Sequence, residues 1–247
     1  MEYRRDLYIF IPAYNVEKEL AELLESIPAQ VLSRTAEICI IDDGSSDATL
    51  QIAQKFSREE FRTSVHIKSF AENRGYGAVV QCGLSRAKEL AELLHVKYAI
   101  CLHGDGQYAS SAIPEMLRVL ENSDAVICQG SRMLGNARQG KMPFYKFWGG
   151  KFLTFIENLV FANKLTDRHS GLIAYKISFL KTVNLEKLSS SFDIDFELLA
   201  LADSRHFRIA EVPIPTRYAG EKSHLRVIPY GLRVLKHVFR KWKGEYG

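Results

Sequence analysis

Short apolar runs alternate with amphipathic stretches through the first half of the chain, and the alternation predicts a repeating strand–helix unit. Residues 7–11, 37–41, 65–70 and 98–102 read as strands. Residues 17–26 carry Leu20, Leu23 and Leu24 at helical spacing, the pattern of a surface helix packed on a sheet. A second helix, capped by Ser46 or its neighbour, is expected to run to Arg58, and a third follows Gly75 and Gly77 over residues 78–94. Right-handed crossovers then give a mostly parallel, Rossmann-like sheet with helices on its faces. The second half is less regular. A helix is predicted over 110–122 with Pro114 in its first turns, a short strand at 125–128, a helix at 192–201 and a strand at 208–212. The Gly-, Asn- and Lys-rich stretch 133–144 has little periodicity and reads as a loop beside a site or a surface connection.

Two further segments carry apolar patterns with more than one meaning. The aromatic stretch 147–161 is helical, with core packing favoured over lipid contact. In the tail, Val227, Leu232, Leu235, Val238, Phe239 and Trp242 interleave with Arg226, Arg233, Lys236, Arg240, Lys241 and Lys243. Such a helix either lies on an anionic bilayer or docks its apolar stripe on the domain, and the Trp and Lys at its end favour the bilayer. The expected division is a domain over 1–224 and a basic amphipathic tail over 225–247.

Composition adds bounds. At 247 residues, 47% hydrophobic and 25% charged, the chain buries a real core as a globular protein. A net charge of +4 is too small for whole-protein nucleic-acid binding. Cys39, Cys82, Cys101 and Cys128 sit in or near apolar segments with no metal-ligand spacing, as buried thiols of a reducing compartment do. No segment approaches the roughly 18 apolar residues that span a bilayer, and the amino terminus enters a strand rather than a signal peptide. A cytoplasmic protein, peripheral at the inner face of the membrane, is expected.

The candidate chemistry lies at the carboxyl ends of the predicted strands, which line one crevice in an open parallel sheet. The turn His103-Gly104-Asp105-Gly106-Gln107 ends the fourth strand, and its glycines admit a ligand close to the main chain. Asp105 projects as a fixed carboxylate able to anchor Mg²⁺ or Mn²⁺ with a diphosphate, with His103 and Gln107 beside it. Tyr14 is placed to stack on a base, and Asp42 or Asp43 to accept from base or ribose. Gly75 and Gly77 would let the next helix approach phosphates. No GxGxxG follows the first strand and no GxxxxGK[ST] occurs, which argues against NAD and against a phosphate-loop NTPase.

These segments carry a family resemblance. Ile11-Pro12-Ala13-Tyr14-Asn15, Ile41-Asp42-Asp43-Gly44-Ser45-Ser46-Asp47-Ala48-Thr49, Glu72-Asn73-Arg74-Gly75-Tyr76-Gly77-Ala78 and Gly104-Asp105-Gly106-Gln107 occur in order. Gly130-Ser131-Arg132, Asp167-Arg168-His169-Ser170-Gly171, Glu211-Val212-Pro213-Ile214 and Arg217-Tyr218-Ala219-Gly220-Glu221-Lys222-Ser223 follow. The chain resembles glycosyltransferases of family 2 with the GT-A fold, in the branch of dolichyl-phosphate mannose synthase and polyprenyl-phosphate sugar transferases. The resemblance implies that Pro12, Ala13, Tyr14, Glu17 and Asp42 form the nucleotide site. It also implies that Asp105 is the last Asp of an Asp-x-Asp metal motif, and that Arg132, Arg217 and Ser223 lie near the diphosphate or an acceptor phosphate. Asp193 or Asp195 faces the acceptor on the same ground, and Asp167 is the reserve candidate for a base. His103 departs from the pattern, since it stands where the family has its first Asp and supplies no second negative charge.

The implied activity is metal-dependent, inverting transfer from a nucleoside-diphosphate sugar to a polyprenyl phosphate. Transfer to a saccharide or other hydroxyl, with Asp195 as base, is the alternative within enzymes. A catalytically silent nucleotide-sugar-binding protein is the alternative outside them. An oligomer through the tail or the aromatic stretch is open.

Overall fold

The computed structural model describes residues 5–58, 63–135, 144–215 and 227–246. Its centre is a seven-stranded sheet. Strands β1 (Leu7–Ala13), β2 (Thr35–Asp42), β3 (Ser64–Ser69) and β4 (Tyr98–Cys101) are mutually parallel in the order β3-β2-β1-β4. The first two are apolar almost throughout because both their faces are covered. β3, at the edge, alternates exposed and half-buried positions in its first half and is the most polar of the four.

Helices cover the two faces. Leu7, Ile9 and Ile11 point to one side, against α1 (Leu20–Ser26), α2 (Ala29–Arg34), α3 (Thr49–Arg58) and α5 (Ile113–Glu121). Tyr8 and Phe10 point to the other, against α4 (Tyr76–Leu93) and α8 (Ile194–Ser204). This is the period-two alternation of a strand buried on both faces. Gly83 belongs to that packing, since a Cβ there would strike the Phe10 ring.

The second half completes the sheet with one reversal. β6 (Ile173–Lys176) runs antiparallel to β4 and to β5 (Ile127–Ser131), and β7 (Ile209–Pro213) pairs with β5 in parallel. α6 (Phe144–Val160) follows β5, a four-residue helix α7 (Ile177–Leu180) follows β6, and α9 (Val227–Trp242) follows β7. Sequence reading places the elements well and misses α2 and the antiparallel placement of β6. It also starts the helix after β1 three residues early, because residues 14–19 form a loop stitched to the segment after β2.

For the aromatic stretch the core expectation holds only in part, with Phe161 buried at its end. On α6, Phe144, Trp148, Phe152, Phe155 and Leu159 are exposed, while Glu157 faces inward. The tail helix docks on the domain with part of its apolar stripe. Val234 and Val238 are buried with Phe161, Phe196 and Ala200, whereas Leu232, Leu235, Phe239 and Trp242 lie in solvent.

Candidate functional site

The carboxyl ends of β1, β2 and β4 form one crevice, built largely from backbone ties between strand ends. Gly104 donates to the Pro12 carbonyl at 2.9 Å, and Asp43 to the Ala13 carbonyl at 2.9 Å. A Cβ at Gly104 would sit 2.8 Å from the Pro12 oxygen, so only glycine allows this approach. The loop after β1 is braced to the loop after β2. Asn15 Oδ1 accepts from Ser46 N at 2.9 Å, Val16 N donates to Thr49 Oγ1 at 2.8 Å, and Glu17 Oε2 accepts from Ala48 N at 2.9 Å. Asp47, the neighbour of Ser46, accepts from Thr49 N at the start of α3.

Four of the expected nucleotide-site residues therefore serve the frame of the crevice: Pro12, Ala13, Glu17 and Asp43. Asp43 accepts from Arg74 N at 2.7 Å and Gly75 N at 3.0 Å, and so clamps the turn that leads into α4. Burial lifts its pKa above the ordinary carboxylate value, against the pull of those two donors. Asp42 accepts from Ser45 N and from Ser69 Oγ at the end of β2. Tyr14 is half-buried at the mouth of the β1 turn.

Gly75 and Gly77 play a different part from the one expected. A Cβ at Gly77 would collide with the backbone of Ser190 and Ser191, and one at Gly75, where φ is +89°, would meet the Ser190 carbonyl at 3.1 Å. The first turn of α4 therefore abuts the segment leading into α8, not an open phosphate site. That contact brings Tyr76 against α8. Its hydroxyl donates to Asp195 Oδ2 at 2.7 Å and lies 3.0 Å from His103 Nε2.

Asp195 is thus joined to the end of β4 by two hydrogen bonds that terminate at His103, two residues from Asp105. Its Oδ1 is buried without a hydrogen-bond partner, and burial pushes its pKa up to about 7 despite the Tyr76 bond. With the Tyr76 proton directed at Asp195, His103 donates from Nε2 to the Tyr76 oxygen. Burial lowers the His103 pKa, with Asp105 opposing, so the ring is held towards its neutral form. Of the two ring nitrogens of His103, Nε2 faces Tyr76.

Asp105 itself is half-buried in the turn and accepts from Gln107 N at 3.1 Å. Among the described residues no group of three or more His, Cys, Asp or Glu side chains is placed to hold a metal. The donor set fits a hard cation bound by one carboxylate with the remaining positions filled by diphosphate and water.

The other expected carboxylates are engaged elsewhere. Arg132 grips Asp167 through Nε at 2.7 Å and Nη2 at 2.8 Å, a bidentate pair. Burial would raise the Asp167 pKa, but the Arg132 charge and hydrogen bonds hold it below the ordinary value. Asp167 is therefore a poor base. Asp193 accepts from Ser189 Oγ and pairs with His237 Nε2 at 2.8 Å, so it anchors α9. Of the two acidic candidates at the start of α8, Asp195 is the one joined to the β4 end. Arg217 and Ser223 lie outside the described residues.

Tyr76 is the residue that sequence reading passed over. It stood between two glycines of a quoted motif, and those glycines mark the close approach that positions it.

Comparison with known proteins gives the family. The model of the family described as glycosyl transferase family 2 matches residues 8–183. The chain belongs to that family, and it is a glycosyltransferase. It is 29% identical over 222 residues to the UDP-N-acetylglucosamine–dolichyl-phosphate N-acetylglucosaminyltransferase of Methanococcus voltae, covering 86% of each chain. It is 25% identical to the dolichol-phosphate mannosyltransferase of Pyrococcus furiosus, covering 96% of this chain and 64% of that one. Glucosyl-3-phosphoglycerate synthase from Mycobacterium tuberculosis, solved with Mn²⁺, uridine diphosphate and glucosyl-3-phosphoglycerate, superposes with a TM-score of 0.68 at 14% identity. That match covers 96% of this chain and 80% of the other, and shows the shared GT-A fold. No helix among the described residues is long and apolar enough to cross a membrane.

Proposed function

We propose that this glycosyltransferase moves a sugar from a nucleoside-diphosphate sugar to a polyprenyl phosphate, with inversion at the anomeric carbon. The observation that carries the reading is the hydrogen-bonded path from the β4 turn of Asp105 through His103 and Tyr76 to Asp195. It supports a reading in which Asp105 serves the donor and Asp195 faces the acceptor on one connected frame. Relatives that act on dolichyl phosphate support the acceptor class.

The acceptor phosphate is already an anion, so its oxygen attacks the anomeric carbon without a strong base while the bond to the diphosphate breaks. Asp195, kept largely neutral by burial up to about pH 7, adds little negative charge beside that nucleophile. Asp105, together with the donor phosphates, would hold a divalent cation, which would supply neutralisation of the leaving diphosphate. The paired Arg132 and Asp167 keep a guanidinium fixed at the end of β5.

The test is transfer from a panel of UDP- and GDP-sugars, with Mn²⁺, Mg²⁺ or EDTA, in the presence or absence of polyprenyl phosphate. Metal-dependent transfer only with the lipid is expected, and Asp105→Ala is expected to lower it by about a hundredfold or more. Transfer to saccharide hydroxyls but never to the lipid would overturn the acceptor assignment. Tight donor binding without turnover under any metal would overturn the reaction, and would make His103 the residue to explain.

A further inference from the structure

Glu211 opens the segment Glu211-Val212-Pro213-Ile214, one of the motifs that carry the family resemblance. On β7 it stands opposite Gln129 of β5, and Ser131 follows two positions along β5, so the three side chains share one face of two parallel strands. All three grip the segment from Thr166 to Ser170. Glu211 Oε2 accepts from Thr166 N at 2.7 Å, and Oε1 accepts from Asp167 N at 3.0 Å and from Thr166 Oγ1 at 3.1 Å. Gln129 Nε2 donates to the Ser170 carbonyl at 2.7 Å. With the Thr166 hydroxyl donating to Glu211, Ser131 Oγ donates to Thr166 Oγ1 at 2.6 Å.

The grip orients the peptide from which Asp167 projects, and Asp167 holds Arg132. It takes the guanidinium at Nε and Nη2 and also accepts from Arg132 N at 3.1 Å. The pair is largely buried, its side chains 15% and 1% exposed. Strand register gives its place in the fold. Ile173 of β6 pairs with Cys101 on one side and Gln129 on the other, so Ser131 and Arg132 lie level with the turn that starts at His103. The far end of the gripped segment meets that turn directly, since a Cβ at Gly171 would strike the His103 ring. Burial raises the Glu211 pKa and the Asp167 charge adds to it, against the bonds from Thr166 and Asp167. Packing alone would not call for a second carboxylate beside Asp167; what the charge supplies is an acceptor for two backbone N–H groups at once.

We infer that Glu211 is a positioning residue: through Thr166 and Asp167 it fixes the Arg132 guanidinium, level with the β4 turn, for a phosphate oxygen of the donor or the acceptor. What the guanidinium meets rests on the proposed transfer; the relay that holds it does not.

Phenylglyoxal labelling of Arg132 in the full chain, located by peptide mass spectrometry, reads the relay without any reaction, and transfer kinetics read its consequence. Glu211→Gln keeps the size and leaves one acceptor oxygen for two N–H groups. Thr166→Val, at an exposed position, removes a single bond to Glu211 and carries the test if the first variant does not fold. Arg132 is expected to label faster in both variants, and kcat/KM of transfer to fall by about tenfold or more in Glu211→Gln. A rise in KM for the nucleotide sugar places the guanidinium on the diphosphate, and a rise in KM for polyprenyl phosphate places it on the acceptor. A merely structural role lowers the melting temperature and moves neither. In an Arg132→Lys background, Glu211→Gln is expected to change transfer by less than about twofold. Labelling at the wild-type rate in both variants would overturn the inference, as would a loss in the Arg132→Lys background equal to that in the wild type. If Arg132 labels faster in the variants and the wild type transfers no sugar, the reaction assignment fails and the relay stands.

Discussion

Asp195 carries the sharpest prediction at the scale of single residues. Burial raises its pKa to about 7, so it is neutral below that pH and charged above it. For a phosphate acceptor, whose own second ionisation lies near 6, the rate is expected to rise through about pH 6 and fall above about 7. Asp195→Asn is expected to remove the fall and keep the rise. For a hydroxyl acceptor the sign reverses: the rate climbs as the Asp195 carboxylate forms, and the Asn variant loses about a hundredfold or more. The pH profile of transfer in wild type and variant decides between them. His103 shows how one substitution is absorbed. In place of a carboxylate beside Asp105 there is a ring held towards its neutral form and bonded to Tyr76.

Among the elements, α4 positions Tyr76 against Asp195 through its first turn. Gly77 is buried and its missing side chain is replaced by the Ser190–Ser191 backbone. Gly77→Ala is expected to cost about 1–3 kcal/mol in urea unfolding. It should also lower turnover by parting Tyr76 from Asp195. A Gly77 that served only an approach to phosphate would weaken donor binding and leave stability unchanged. The strand ends were legible from sequence because glycine and acidic residues interrupt apolar runs. The helix boundary after β1 was not, because the braces from Asn15, Val16 and Glu17 to residues 46–49 are contacts across some thirty positions.

For the whole molecule, the question is how α9 is held. Asp193 has its pKa drawn down to about 2: burial opposes this, and the bonds from His237 and Ser189 outweigh it. A carboxylate with a depressed folded-state pKa contributes stability that is full above its unfolded value, near 4, and lost as pH falls through about 2. Unfolding midpoints are therefore expected to drop between about pH 4 and pH 2 more steeply in wild type than in Asp193→Asn. Equal slopes would mean that the Asp193–His237 pair does not hold the tail in solution.

The sequence by itself determined the α/β class, the parallel first half and the place of Asp105 in a glycine-bounded turn at a strand end. These follow from local pattern: apolar runs make strands, and glycine-bounded turns end them. Only the tertiary structure decided which of several acidic residues remains available. Asp167 lies on Arg132, Asp193 on His237, and Asp43 on the turn before α4. It also decided that the aromatic helix α6 faces outward. An aromatic stripe at helical spacing is the same in sequence whether a core or solvent lies against it; the burial of Glu157 beside Arg168, and of Phe161 in the core, sets the direction.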